Sequence, residues 1–248
     1  MRLSRAFKFQ IREMIKPIAS FYGMFFLFVF LFIGLAYTSS DGSVSFGGFE
    51  LCTIVMLFVT MLSMIRSDFL LFLQHGYSRK TLFLSTTLCL ITTSAVVVFI
   101  ETFVYKIFSN LLPYNGMFFQ GYRAAYMSDG GVKGFIDEYL WKFFLYILAG
   151  AIGTFISLLY YRMNKLHKTI VSVGVPALFI VVYPLADQYL FEGALTRLVV
   201  KIMDFYTGYA FGGNPYVNML CNIGLFALFG ALSFLLLRKC NYKKWRNS

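Results

Sequence analysis

Two carboxylates stand inside long apolar runs of this chain, Glu50 in FELCTIVMLFV and Glu101 in VVVFIETFV. A charged side chain in hydrocarbon is costly, so such residues mark a substrate path, a proton relay or a paired charge. Each lies near one end of its run, within reach of the membrane surface, and Lys106 follows Glu101 closely. Glu50 and Glu101 are read as outer-gate or cationic-substrate contacts, with a lysine-paired or surface-reaching carboxylate as the alternative. A proton-coupled carrier would place its carboxylate nearer the middle of a span. Other reactive patterns are missing. The Lys-Thr pairs Lys80-Thr81 and Lys168-Thr169 lack the preceding glycine that a phosphate-cradling loop needs, and neither H-E-x-x-H nor G-x-S-x-G occurs. His75 and His167 read as helix-end or surface histidines. The four cysteines have no C-x-x-C spacing, so neither metal nor disulfide is expected. The chain reads as no enzyme, with no cofactor of its own.

The elements that carry these residues follow from composition. Of 248 residues, 59% are hydrophobic and 13% charged, with mean hydropathy +0.71, outside the range of soluble domains. The apolar residues come in blocks of about 20, the length that crosses a hydrocarbon core as a helix. The fold class is therefore an all-α integral membrane protein, one domain over 1–248. Six spans are expected, at about 18–37, 49–65, 82–102, 141–161, 170–186 and 216–237. The fifth carries Gly174, Pro176 and Pro184 and should be kinked or broken.

Charge sets the orientation. Arg2, Arg5, Lys8, Arg12 and Lys16 precede the first span, and Arg238, Lys239, Lys243, Lys244 and Arg246 follow the sixth. Arg66, Arg79 and Lys80 lie between the second and third, and Arg162, Lys165 and Lys168 between the fourth and fifth. Sixteen of the 22 basic residues thus fall on one side, which the positive-inside rule makes cytoplasmic, with both termini inside a plasma membrane. The net charge of +11 is then a topology signal that favours anionic lipid and gives no reason to expect nucleic acid.

Before the first span, Leu3, Phe7, Ile11 and Ile15 recur at helical spacing among basic residues, and Pro17 follows. This predicts an amphipathic helix over 2–16 lying along the inner leaflet. A helical outer segment is expected over 188–206, with Leu190, Ala194, Leu195, Leu198, Ile202 and Phe205 on one side. Gly150, Gly153 and Ser157 in the fourth span, and Gly224, Ala227, Gly230 and Ala231 in the sixth, form small-residue stripes suited to close helix packing.

The second-to-third connection, SDFLLFLQHGYSRKTLF, is too apolar for a plain loop. Ser67 or Asp68 can cap a short helix over 67–76, with Phe69, Leu70, Phe72 and Leu73 as its apolar side and Gly76 as its left-handed stop. Tyr77, Arg79 and Lys80 then suit either a protein partner or the lipid interface.

This order of elements resembles the membrane subunit of six-span, ABC-two-type exporters, and GYSRKTLFLS resembles small Firmicutes-type permeases of that class that export amphipathic peptides such as phenol-soluble modulins or lantibiotics. The resemblance implies that 2–16 is an elbow helix and that 67–76 is a coupling helix. Asp68, Phe69, Phe72, Leu73, His75, Gly76, Tyr77, Arg79 and Lys80 would then dock on a cytosolic ABC ATPase that supplies ATP and Mg. Arg162 to Lys168 would make a second, minor contact. It also implies a second six-span permease, identical or related. A non-transporting scaffold or immunity protein is the alternative, and a secondary carrier a third reading.

Overall fold

A computed structural model of the protein describes residues 2–38, 46–108, 114–126, 131–189 and 191–238, with a few helical residues, among them Arg66, Leu70, Leu73 and Lys106, described by backbone alone. Leu190 and the basic residues after Arg238 lie outside the described residues.

The long apolar runs fold as helices because only a helix satisfies every backbone group within one segment in lipid. They are α1 (Arg2–Thr38), α2 (Phe49–Gln74), α3 (Arg79–Phe108), α5 (Val132–Arg162) and α9 (Pro215–Arg238), with the shorter α4 (Met117–Tyr126) and α8 (Ala194–Thr207) between them. The fifth apolar run is α6 (Lys165–Ala177), a π-helical stretch Leu178–Val182 and α7 (Tyr183–Tyr189). Phe46–Gly47 and Tyr114–Asn115 pair in parallel as two-residue strands. Among the described residues, five helical stretches are long and apolar enough to cross a membrane: Leu3–Leu31, Arg79–Val104, Val132–Arg162, Lys165–Tyr189 and Pro215–Arg238. Phe49–Ile65 is a shorter apolar segment of α2. The protein is membrane-embedded.

Three expectations are corrected. The chain does not break at Pro17, which lies inside α1; buried Gln10 and Met14 before it and Tyr22 after it hold both halves against the bundle. The N-terminal segment therefore continues the first helix and packs on α3. Its buried line is Ala6, Gln10 and Met14, whereas Leu3, Phe7 and Ile11 flank it half-buried and Ile15 is exposed. Likewise no separate helix begins at residue 67, because α2 runs unbroken to Gln74. The outer helix starts only at Ala194, where Asp187 accepts from the Leu195 and Thr196 amides at 2.9 and 3.3 Å and satisfies its first turn. In the fifth run the expected break is a widened π turn, which accommodates the ring of Pro184 without ending the helix.

The core joins α1, α2, α3 and α5, with α9 along α5. At Gly153 of α5 an added Cβ would stand 2.5 Å from the Phe58 carbonyl oxygen of α2, so the helices approach to backbone contact there. One turn on, the Ser157 hydroxyl donates to the Leu62 carbonyl at 2.8 Å. The matching stripe in α9 does not pack: Gly224 and Gly230 face open space, and Gly230 lines a cavity of ≈ 250 Å³ with Thr86, Thr87 and Ser233. The fifth run stands apart, with Asp187 its one buried residue among those described.

Candidate functional site

The residues expected to dock a partner gather at the basic end of α2 and α3, in two groups with opposite environments. Phe69 and Phe72 are buried, packed with Ala6, Ile65, Leu82, Leu158 and Leu237, and Asp68 is buried beside them. These three therefore face the bundle and cannot form the contact surface in this conformation. Burial follows from continuing the α2 helix, which turns their face toward α1 and α5: Phe72 meets Phe9 edge-on at 5.7 Å, and Phe69 meets Tyr161 at 4.7 Å. The Leu73 side chain lies outside the described residues.

What this end presents is the turn that follows. Gly76 has φ +70°, a left-handed conformation that a side chain would strain. Tyr77 is half-buried against Phe72, with centroids 5.1 Å apart, and Ser78 caps α3 by accepting from the Thr81 amide at 3.1 Å. Arg79 donates to the Arg238 carbonyl at 2.5 Å, so its charge sits on the C-terminus of α9. His75, Gly76, Ser78 and Lys80 remain exposed. The turn is thus an exposed knob mounted on buried aromatic residues and tied to α1, α3, α5 and α9.

At the far end of α3, about 30 Å away at 1.5 Å per residue, Glu50 and Glu101 are buried and do not reach a surface. They belong to a polar cluster from four helices. The Lys142 ammonium of α5 lies 3.3 Å from Glu50 Oε1 and 2.6 Å from Glu138 Oε1. Glu50 Oε1 also accepts from the Met117 amide at 3.1 Å, which places its charge on the N-terminus of α4. Glu101 accepts from the hydroxyls of Thr53 and Tyr146, and from Tyr22 at 3.4 Å. Lys142 thus bridges two buried carboxylates, Glu50 and Glu138, while hydroxyls hold Glu101, and neither Glu50 nor Glu101 contacts solvent as an outer gate would.

No protein-family model, curated protein or solved structure matches the chain. Geometry alone therefore carries the reading of both ends.

Lys142, Glu138, Tyr146, Tyr22 and Thr53 were not singled out in the sequence. The available signal was Glu138 and Lys142 at i, i+4 where the fourth span begins. Beyond the cluster, tyrosines join α4 to the end of α8 and α9 to α5: Tyr122 donates to the Thr207 carbonyl at 2.8 Å, Tyr209 to the Gly121 carbonyl at 2.7 Å and Tyr216 to Asp137 at 3.0 Å. Burial pushes the Tyr122 hydroxyl up to about 12, so it stays a donor at neutral pH.

Proposed function

We propose that the protein is the membrane subunit of an ATP-driven exporter, coupled through the His75–Lys80 turn to a separate cytosolic ATPase and paired with a second six-span subunit in the plasma membrane. One observation carries this reading: an exposed turn with a basic residue at its tip is seated rigidly on four helices, so a push on it moves the bundle as a unit. Positive charge at this end favours the cytoplasm, with both termini inside. The burial of Phe69 and Phe72 shifts the expected contact onto His75, Gly76, Tyr77 and Lys80. The apolar, aromatic-rich interior suits an amphipathic cargo such as a peptide.

A second reading, a cation-coupled carrier, draws on the buried carboxylates of Glu50, Glu101 and Glu138, which among the described residues outnumber the buried lysine, Lys142. A scaffold or immunity role would need neither an ATPase nor this cluster. Affinity purification from native membranes in mild detergent, read by mass spectrometry, separates them. The exporter reading expects a stoichiometric soluble ATPase that is lost in the Lys80→Glu, His75→Glu double variant while membrane insertion persists. Recovery of the protein without an ATPase across several detergents overturns it.

A further inference from the structure

The fifth run leaves the bundle where it begins. α5 ends at Arg162, the chain turns over Met163 and Asn164, and α6 sets off with none of its residues buried. Between α6 and the α2–α5 pair lies a cleft of ≈ 570 Å³, inside the range of about 300–1,000 Å³ typical of ligand sites.

The cleft is graded in polarity. Phe58, Leu62 and Ile156 form an apolar wall, and the Ser157 hydroxyl between them is already used on the Leu62 carbonyl. Toward the turn stand Lys168 and Tyr160, whose hydroxyl lies 2.9 Å from that of Ser172. No carboxylate lines the cleft, and among the described residues Lys168 and its neighbours Arg162 and Lys165 make no ion pair. Ile170 and Val173 beside it are exposed on a membrane-embedded helix, so lipid is the solvent there.

An unpaired ammonium at one end of an apolar cleft complements an amphiphile with an anionic head. Bilayer lipid reaches it without crossing water, and the three basic residues around the turn select negative headgroups. We propose that the cleft binds one anionic phospholipid, its phosphate against Lys168 and Tyr160 and an acyl chain along Phe58, Leu62 and Ile156. The site is independent of any ATPase, and its test is unaffected if the exporter reading fails.

Native mass spectrometry of the purified full chain, titrated with phosphatidylglycerol, phosphatidylcholine or oleate, decides it. The expected result is one saturable phosphatidylglycerol adduct, about tenfold weaker in Lys168→Gln, lost in Leu62→Trp, which fills the cleft, and unchanged in Lys80→Gln. Lys168→Gln alters an exposed side chain and remains informative if Leu62→Trp does not fold. Equal binding by wild type and Lys168→Gln overturns the proposal. So does an equal loss in Lys80→Gln, which would mean diffuse surface charge. Phosphatidylcholine or oleate binding as tightly as phosphatidylglycerol overturns it as well.

Discussion

At the basic end of α3, aromatic side chains from α2 are buried among apolar neighbours with Asp68 beside them, while Lys80 stays outside and Arg79 caps a helix terminus. At its far end the arrangement is inverted: Glu50, Glu101, Glu138 and Lys142 are inside the bundle, held by one another and by hydroxyls. The first end depends on close apolar packing, which seats the turn on its neighbouring helices. The second depends on buried charge, where loss of one ion-pair partner leaves the other charged in low dielectric with hydrogen bonds alone to offset it. On the proposed exporter reading, the two ends would differ in mechanical role, a clamp at the far end and a mounted lever at the basic end.

The largest expected effect breaks the clamp. Lys142→Met removes the cation from Glu50 and Glu138 and should cost about 3–5 kcal/mol, seen as a lower unfolding midpoint in detergent. A midpoint equal to wild type would mean that the charged end does not hold the bundle. Next, Phe72→Ala should cost about 3 kcal/mol by opening a cavity under the turn. Because the two sites are about 30 Å apart along α3, the double variant should be additive to within about 0.5 kcal/mol; strong coupling would join the two ends into one unit.

A sharper test compares the two small-residue stripes. Gly153→Ala pushes a Cβ into the Phe58 backbone and should destabilise by about 1–3 kcal/mol. Gly230→Ala meets nothing within 4 Å and should be neutral or slightly stabilising. Equal effects would show that α5 and α2 are not in backbone contact. The smallest effect is at the lever itself: Ser78→Ala should cost about 1 kcal/mol through the lost cap, measured by the same thermal shift.

Much of the fold was legible because lipid leaves the backbone few options. The apolar run length, an irregular fifth run and the Gly153–Ser157 stripe all follow from local chemistry, whereas the π-helical form of that irregularity does not. The functional residues were less legible. Gln10 donates to Thr86 at 3.0 Å, a contact across 76 residues that no helical period announces. The line of Leu3, Phe7, Ile11 and Ile15 reads as the lipid-facing side of an interfacial helix, but Ala6, Gln10 and Met14 are the residues that fit into the bundle, because small and flexible side chains allow closer approach. Phe69 and Phe72 looked like a docking face because an apolar helix at a surface suggests a partner. Here their partner is the same chain.

The sequence by itself determined that the chain is helical and membrane-embedded, since both depend only on residue type and the length of the apolar runs. Tertiary structure alone decided that Glu50 meets Lys142 inside the bundle, that Glu101 is held there by the hydroxyls of Thr53, Tyr146 and Tyr22, and that the turn after α2 stands on buried aromatics. Those outcomes depend on which helices lie side by side. A helix's own period fixes its faces, but only contacts between distant segments choose which face is covered and which charge finds a partner.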